Sequence, residues 1–221
     1  MVSENRPSLA ELRADLWRAA EIDDLTERTL EVVAVIGEAA APLRIYPTLV
    51  GGMAVYFWTE SDAFLTYDID VVMAVPDPLA EILAQLGFTR TNDGRHWELE
   101  GTKVLLEAPS ADLDVGARVA EVKLHSGRTV RVLSRADILL DRLDEFQATG
   151  HQLVAQQILV LLVALTEDET TDLDARAPQR RVTAILDAMR RLADELPARG
   201  DLPPSHELHE IARAALRAEY S

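Results

Sequence analysis

The spacing of apolar residues divides the chain into three stretches. The first is helical. Leu9, Leu12, Leu16 and Trp17 recur at helical intervals behind Ser8 and Glu11, a pair that reads as a capping box. Asp24 and Glu27 repeat the start signal. Leu30, Val33, Val35 and Ile36 then give a second helix its apolar face up to Ala41, and Pro42 stops it. From Tyr46 the pattern shortens. Residues 46–50 read as a short buried strand ended by Gly51 and Gly52, and 53–58 as a short helix directly behind the glycines. Residues 67–75 are apolar, rich in β-branched side chains and free of breakers, which predicts a central strand carrying two carboxylates. Asp77 and Pro78 predict a helix start, with Asp77 as N-cap and Pro78 at the first helical position. Leu79, Ile82, Leu83 and Leu86 form that helix's buried stripe, and Gly87 caps it. Strands are predicted over 96–100, 103–108, 119–124 and 129–133, the last two joined by a Ser126-Gly127 turn.

Beyond Ser134 the pattern is helical throughout. Ser134 caps a helix that reaches Phe146, and Gly150 separates it from an apolar helix over 153–165. Residues 167–174 predict an acidic loop leading to helices over 179–196 and 205–219, with Leu202-Pro203-Pro204 as a rigid connector. The expected fold is α+β: an N-terminal helical segment (1–45), a mixed β-sheet core flanked by helices (46–133) and a helical C-terminal region (134–221).

Composition narrows the function classes. At 221 residues, 48% hydrophobic and 27% charged, the chain is neither disordered nor fibrous. Its net charge is -16, and Lys103 and Lys123 are its only lysines. Such a balance repels phosphodiester backbones and anionic membranes at long range, so broad DNA or membrane binding is not expected. With no cysteine, thiolate metal sites, disulfides and thiol catalysis are excluded. The first residues lack a signal-peptide pattern, and the apolar run 153–165, interrupted by Gln156 and Gln157, falls short of the ~20 residues a membrane span needs. A cytoplasmic protein is the expectation. No nucleophile elbow, P-loop or dinucleotide fingerprint is present.

One segment carries candidate chemistry. Asp68 and Asp70 lie two apart on a predicted strand, so their side chains share a face. Flanked by Ile69, Val71 and Val72, they are expected in a buried setting, where paired carboxylates repel and lose solvation. A divalent cation is the simplest means of offsetting that cost, and Mg²⁺ accepts such oxygen donors. Upstream, Gly51 and Gly52 stand between a strand and a helix start, where a backbone can approach a phosphate closely.

In this order, Leu49-Val50-Gly51-Gly52 followed by Thr66-Tyr67-Asp68-Ile69-Asp70-Val71 resembles the nucleotidyltransferase superfamily, which shares the polymerase-β-like fold. Downstream, Leu105-Leu106-Glu107-Ala108-Pro109 with Val115-Gly116, Ser134-Arg135-Ala136-Asp137 with Asp141-Arg142-Leu143, and Gln156-Gln157 look like a branch of bacterial minimal nucleotidyltransferases and abortive-infection (AbiEii-type) toxins. The resemblance runs from about Leu49 to Leu162. It implies that Asp68, Asp70 and Glu107 hold Mg²⁺ (or Mn²⁺) and carry catalysis, and that Gly51, Gly52 and Thr66 contact a nucleoside triphosphate. It also implies in-line transfer of a nucleoside monophosphate to a protein, small molecule or RNA end, with pyrophosphate released. A catalytically inactive relative, acting as a nucleotide sensor or working with a small antitoxin partner, is the alternative.

The chain departs from the family's pattern in three ways. Phe64 and Leu65 stand where an arginine often precedes the aspartates. Gly52 replaces a frequent serine. The third carboxylate is Glu107 by strand position, with Asp112 and Asp114 as alternatives in the next loop. Lys103 and Lys123, on predicted core strands, suit a grip on a β- or γ-phosphate and a snorkelling place at a strand edge equally; elsewhere the residues favour plainer roles: Arg142 in an ion pair, Trp97 in the core, and His206, Glu207, His209 and Glu210 on a solvated helix face.

Overall fold

The computed structural model describes residues 6–61 and 68–220. These divide into two compact units, one of residues 6–57 and 68–133 and one of 58–61 and 134–220. The first holds α1 (Leu9–Ala20), α2 (Leu25–Ala40), a 3-10 turn at Ala41–Leu43, β1 (Thr48–Leu49), the start of α3 (Gly51–Thr59), β2 (Asp68–Val72) and α4 (Asp77–Leu86). It continues through β3 (Phe88–Arg90), β4 (His96–Leu99), β5 (Leu105–Glu107), β6 (Val119–Lys123) and β7 (Thr129–Leu133).

The seven strands form one mixed sheet in the order β3-β4-β5-β2-β1-β7-β6, so β2 occupies its centre. β2 runs parallel to β5, and β1 parallel to β7, while the other neighbours are antiparallel. The register builds an apolar face: Trp97 opposes Leu106, Leu106 opposes Ile69, Val71 opposes Leu49, and Leu49 opposes Val132. All six are buried. The helices meet this face, since a Cβ placed on Gly87 at the end of α4 would lie 3.3 Å from Leu99 and 3.6 Å from Trp17 of α1. Gly87 takes a φ of +110°, which only glycine adopts cheaply. Burying each large aliphatic side chain here contributes roughly 1.5–3 kcal/mol. A one-residue slip of β2 would turn Asp68 and Asp70 into the apolar layer, so burial enforces the register.

The helix starts read from sequence are present: Ser8 and Glu11 form a reciprocal capping box, and Asp24 accepts from the Glu27 amide. Other expectations need correction. The strand over 46–50 contracts to Thr48–Leu49, and the one over 67–75 ends at Val72; Tyr67 lies outside the described residues. Past Val72 the chain leaves the ladder, and the Met73 amide donates instead to the Ser110 carbonyl at 3.1 Å. Asp77 is the first helical residue of α4, with Pro76 as N-cap. β3 was hidden by its brevity and by two exposed residues, Thr89 and Arg90.

The second unit packs α5 (Arg135–Thr149), α6 (Gln152–Ala164), α7 (Glu167–Arg180), α8 (Thr183–Arg199) and α9 (Ser205–Glu219). None of the described helices is long and apolar enough to cross a membrane. Asp137, only 2% exposed, accepts hydrogen bonds from the guanidinium of Arg176. The segment expected as an acidic loop is helical instead. Thr166 and Glu169 form a capping box, and Glu167, Asp168 and Glu169 place negative charge in the first turn, where the helix dipole favours it. The predicted helix over 179–196 is interrupted where α7 ends on Arg181, in a left-handed conformation, before α8 begins.

Burial raises the Glu169 pKa, but hydrogen bonds from Thr166 and Arg135 outweigh it and hold the carboxyl below its ordinary value. A depressed acid stabilises above its unfolded pKa and loses that contribution as pH falls through the native value. Thr166→Ala should therefore cost about 1 kcal/mol in urea unfolding at pH 7. Glu169→Gln should weaken the chain at pH 7 while changing little at pH 3.

Candidate functional site

The central strand positions the acids by parity. On β2, Ile69 and Val71 are buried while Asp68, Asp70 and Val72 are half-buried on the opposite face. β5 lies beside it in parallel, with Asp68 opposite Leu105 and Asp70 opposite Glu107. The three acids therefore share the polar face of the sheet. The sealed setting expected for the aspartate pair is not found; half-burial leaves the carboxylates partly hydrated and reachable, which lowers the cost of their mutual repulsion.

The glycine turn belongs to the same place. The Val50 amide donates to the Asp70 carbonyl at 2.9 Å, binding the start of α3 to β2. Gly51 has a φ of +65°, and a Cβ on it would lie 2.0 Å from Asp70 Oδ2 and 2.8 Å from Asp70 Cβ. The Asp70 side chain thus lies over the first residue of α3, near the positive end of its dipole. Glycine is required twice, by the left-handed backbone and by the carboxylate in the space a side chain would fill. Gly52 is buried at the second position of α3. Thr66, together with Phe64 and Leu65, lies outside the described residues.

Glu107 has a second neighbour on this face. His96 of β4 stands opposite it, with Nε2 3.3 Å from Glu107 Oε2. The other ring nitrogen, Nδ1, is 2.5 Å from Asp93 Oδ2. Asp93 Oδ1 accepts from the Arg95 and His96 amides at 2.9 and 3.1 Å and from the Thr91 hydroxyl at 2.8 Å. These donors, led by the Arg95 amide, hold the Asp93 carboxyl well below the usual carboxylate range. The hydrogen bond to Asp93 pushes the His96 imidazole upward, partial burial opposes it, and the charge of Glu107 adds to the rise. His96 was not singled out from sequence as a site residue. The available signal was alternation: His96 and Glu98 interleave with buried Trp97 and Leu99.

Among the described residues, no three His, Asp or Glu side chains stand close enough together to hold a metal ion. The donor chemistry nonetheless suits a hard divalent cation: carboxylate oxygens on one face, one of them, Asp70, lying directly over the Gly51 backbone. Asp112 and Asp114 are exposed in the loop after β5 and lie on no strand. Lys103 lies in the bend before β5, not on a strand as expected, and is exposed; Lys123 ends β6 and is exposed as well. Arg142 pairs with Glu145 at 2.6 Å and reaches Gln157 at 3.5 Å. Trp97 is 4% exposed, in the core. On α9, His206 is exposed and His209 Nδ1 lies 2.5 Å from the Ser205 carbonyl.

No family model and no curated protein matches this chain. Two solved structures are similar to it in outline. One is an antigenic nucleotidyltransferase-like protein from Paracoccidioides brasiliensis, 18% identical, with a TM-score of 0.48 over 73% of this chain and 91% of that one. The other is the antibiotic-resistance factor ANT(2'')-Ia, 19% identical, with a TM-score of 0.46 over 71% of this chain and 93% of that one. Neither likeness carries a residue role to this chain.

Gly51→Ala must accept a left-handed alanine and displace Asp70, so it should lower stability by about 1–3 kcal/mol in thermal or urea unfolding. His96 should titrate above the ordinary histidine value in an NMR pH series, and Asp93→Asn should bring its midpoint down. The raised value means that its contribution to stability is complete below the unfolded pKa and fades as pH rises through the native one.

Proposed function

We propose that the chain is a nucleotidyltransferase-type enzyme that moves a nucleoside monophosphate from a nucleoside triphosphate to an acceptor hydroxyl. The observation that carries this reading is the registry of Asp70 with Glu107 on one sheet face, with the Asp70 carboxylate lying over Gly51 at the start of α3. That register puts the three carboxylates on one face of the sheet, with the glycine turn against Asp70. In this reading Asp68, Asp70 and Glu107 hold Mg²⁺ (or Mn²⁺), which when bound neutralises phosphate charge and stabilises the entering and leaving oxygens. Gly51 and Gly52 let the phosphates approach the first amides of α3, and Thr66 contributes to the nucleotide site. Glu107 orients the acceptor hydroxyl and takes up its proton. The hydroxyl oxygen bonds to the α-phosphorus, the bond from that phosphorus to the bridging oxygen breaks, and pyrophosphate leaves. The acceptor classes are a protein, a small molecule or an RNA end, in a cytoplasmic setting.

A non-catalytic reading draws on one observation, the engagement of Glu107 by His96. In it the chain binds a nucleotide as a sensor, or acts with a small antitoxin partner.

A thermal-shift screen of the four common NTPs with Mg²⁺ and with Mn²⁺ tests both. Ligand at 100 times Kd adds about 2.7 kcal/mol, which should raise the Tm by roughly 5–10 °C for a chain of this size. Asp70→Asn should abolish the shift. A shift that survives the substitution contradicts the site, and pyrophosphate release from the shifting NTP separates the enzyme from the sensor.

A further inference from the structure

We infer that His96 is a positioning residue that latches Glu107 toward β4, away from the aspartate pair, and that Glu107 completes the carboxylate set by leaving His96. The inference rests on the carboxylate site proposed above. Its geometry is simple. β5 lies between β2 and β4, so Glu107 has Asp70 on one side and His96 on the other, all on one face. Adjacent strands stand about 4.8 Å apart, a gap that a glutamate side chain spans in either direction. In this structure its carboxylate is with His96 at 3.3 Å. Among the described residues, no three acids are placed to hold a metal ion together.

The latch is built from more than one contact. Asp93 is pinned by two backbone amides and a hydroxyl, and it holds the Nδ1 side of the ring. That fixes the imidazole with Nε2 toward Glu107. Two considerations make the contact exchangeable. The pair is a single contact at 3.3 Å whose side chains keep about a fifth of their surface in water, so solvent screens it and it is a weak tie. Turning Glu107 back toward Asp70 brings two like charges together, a cost that a divalent cation between them removes. His96 thus relieves the repulsion in the free chain, and the cation relieves it in the loaded one.

The test is a double-mutant cycle on Mn²⁺ affinity, measured by calorimetry or EPR on the full chain, with Asp70→Asn as the site control. Asn in place of His96 keeps a donor toward Asp93 but does not reach Glu107. His96→Asn should tighten Mn²⁺ binding by roughly two- to fivefold, the range a single screened ion pair supports. The gain should vanish in a Glu107→Gln background. Unchanged or weaker binding by His96→Asn overturns the latch. So does an equal gain in the Glu107→Gln background, which marks a through-space charge effect. If Asp70→Asn abolishes binding and His96→Asn changes nothing, the latch falls and the site stands. If binding ignores Asp70→Asn, both fall. Should His96→Asn fail to fold, Mg²⁺ titration of the wild-type chain followed at the His96 ring resonances decides. Movement that saturates with binding and is lost in Glu107→Gln supports the latch, and still resonances overturn it.

Discussion

The alternation along β2 is the constraint on which the rest depends. Ile69 and Val71 enter the apolar layer between Leu106 on one side and Leu49 on the other, and this obliges Asp68 and Asp70 to face away. The strand has no other register at comparable cost, because shifting it by one residue exposes two buried aliphatics and buries two carboxylates. The polar face follows from the apolar one. Glu107 inherits the same parity from Leu106, and His96 from Trp97, so the core of the first unit sets which groups can meet on its outer surface. Val50, bonded through its amide to Asp70, ties the glycine turn to the same strand.

Much of this was legible in the chain, and the boundary is a matter of distance in sequence. The capping box at Ser8 and Glu11, the hairpin turn at Ser126 and Gly127, and the parity of Asp68 and Asp70 all rest on residues a few positions apart. The pairing of Asp70 with Glu107 joins strands separated by a helix and two further strands, and nothing local announces it. His96 was missed for the same reason, since its partner on β5 becomes its neighbour only once β4 and β5 pair. The misreading of 167–174 had a different origin. The acidic run was weighed as charge, whereas Thr166 and Glu169 were already a helix start. The half-burial of the aspartates also escaped the sequence, because a strand's apolar residues do not say whether its other face is covered.

The arginines show how an acidic chain distributes its cations. Arg128 is met by Asp15, Glu31 and Glu38, Arg176 by Asp137 and Asp172, and Arg180 by Asp141 and Asp144. Arg135 pairs with Glu169 and stacks over Trp58. Each guanidinium thus holds elements together within its own unit. An arginine already ringed by carboxylates offers little to an incoming phosphate, because binding would first have to break those pairs.

The same reasoning bears on why a histidine, and not a lysine or arginine, stands beside Glu107. A guanidinium would make a bidentate pair with the carboxylate that a cation could displace only at considerable cost. The imidazole offers one nitrogen to Glu107 and commits the other to Asp93, so its hold is directional and limited to a single contact. Its position is fixed by the loop that carries Asp93, not by Glu107 itself. Removing Glu107 from the ring therefore leaves His96 where it was, still bonded and still able to receive the carboxylate again. A reversible exchange needs that asymmetry: one partner anchored independently and the other free to choose between two neighbours on the same face.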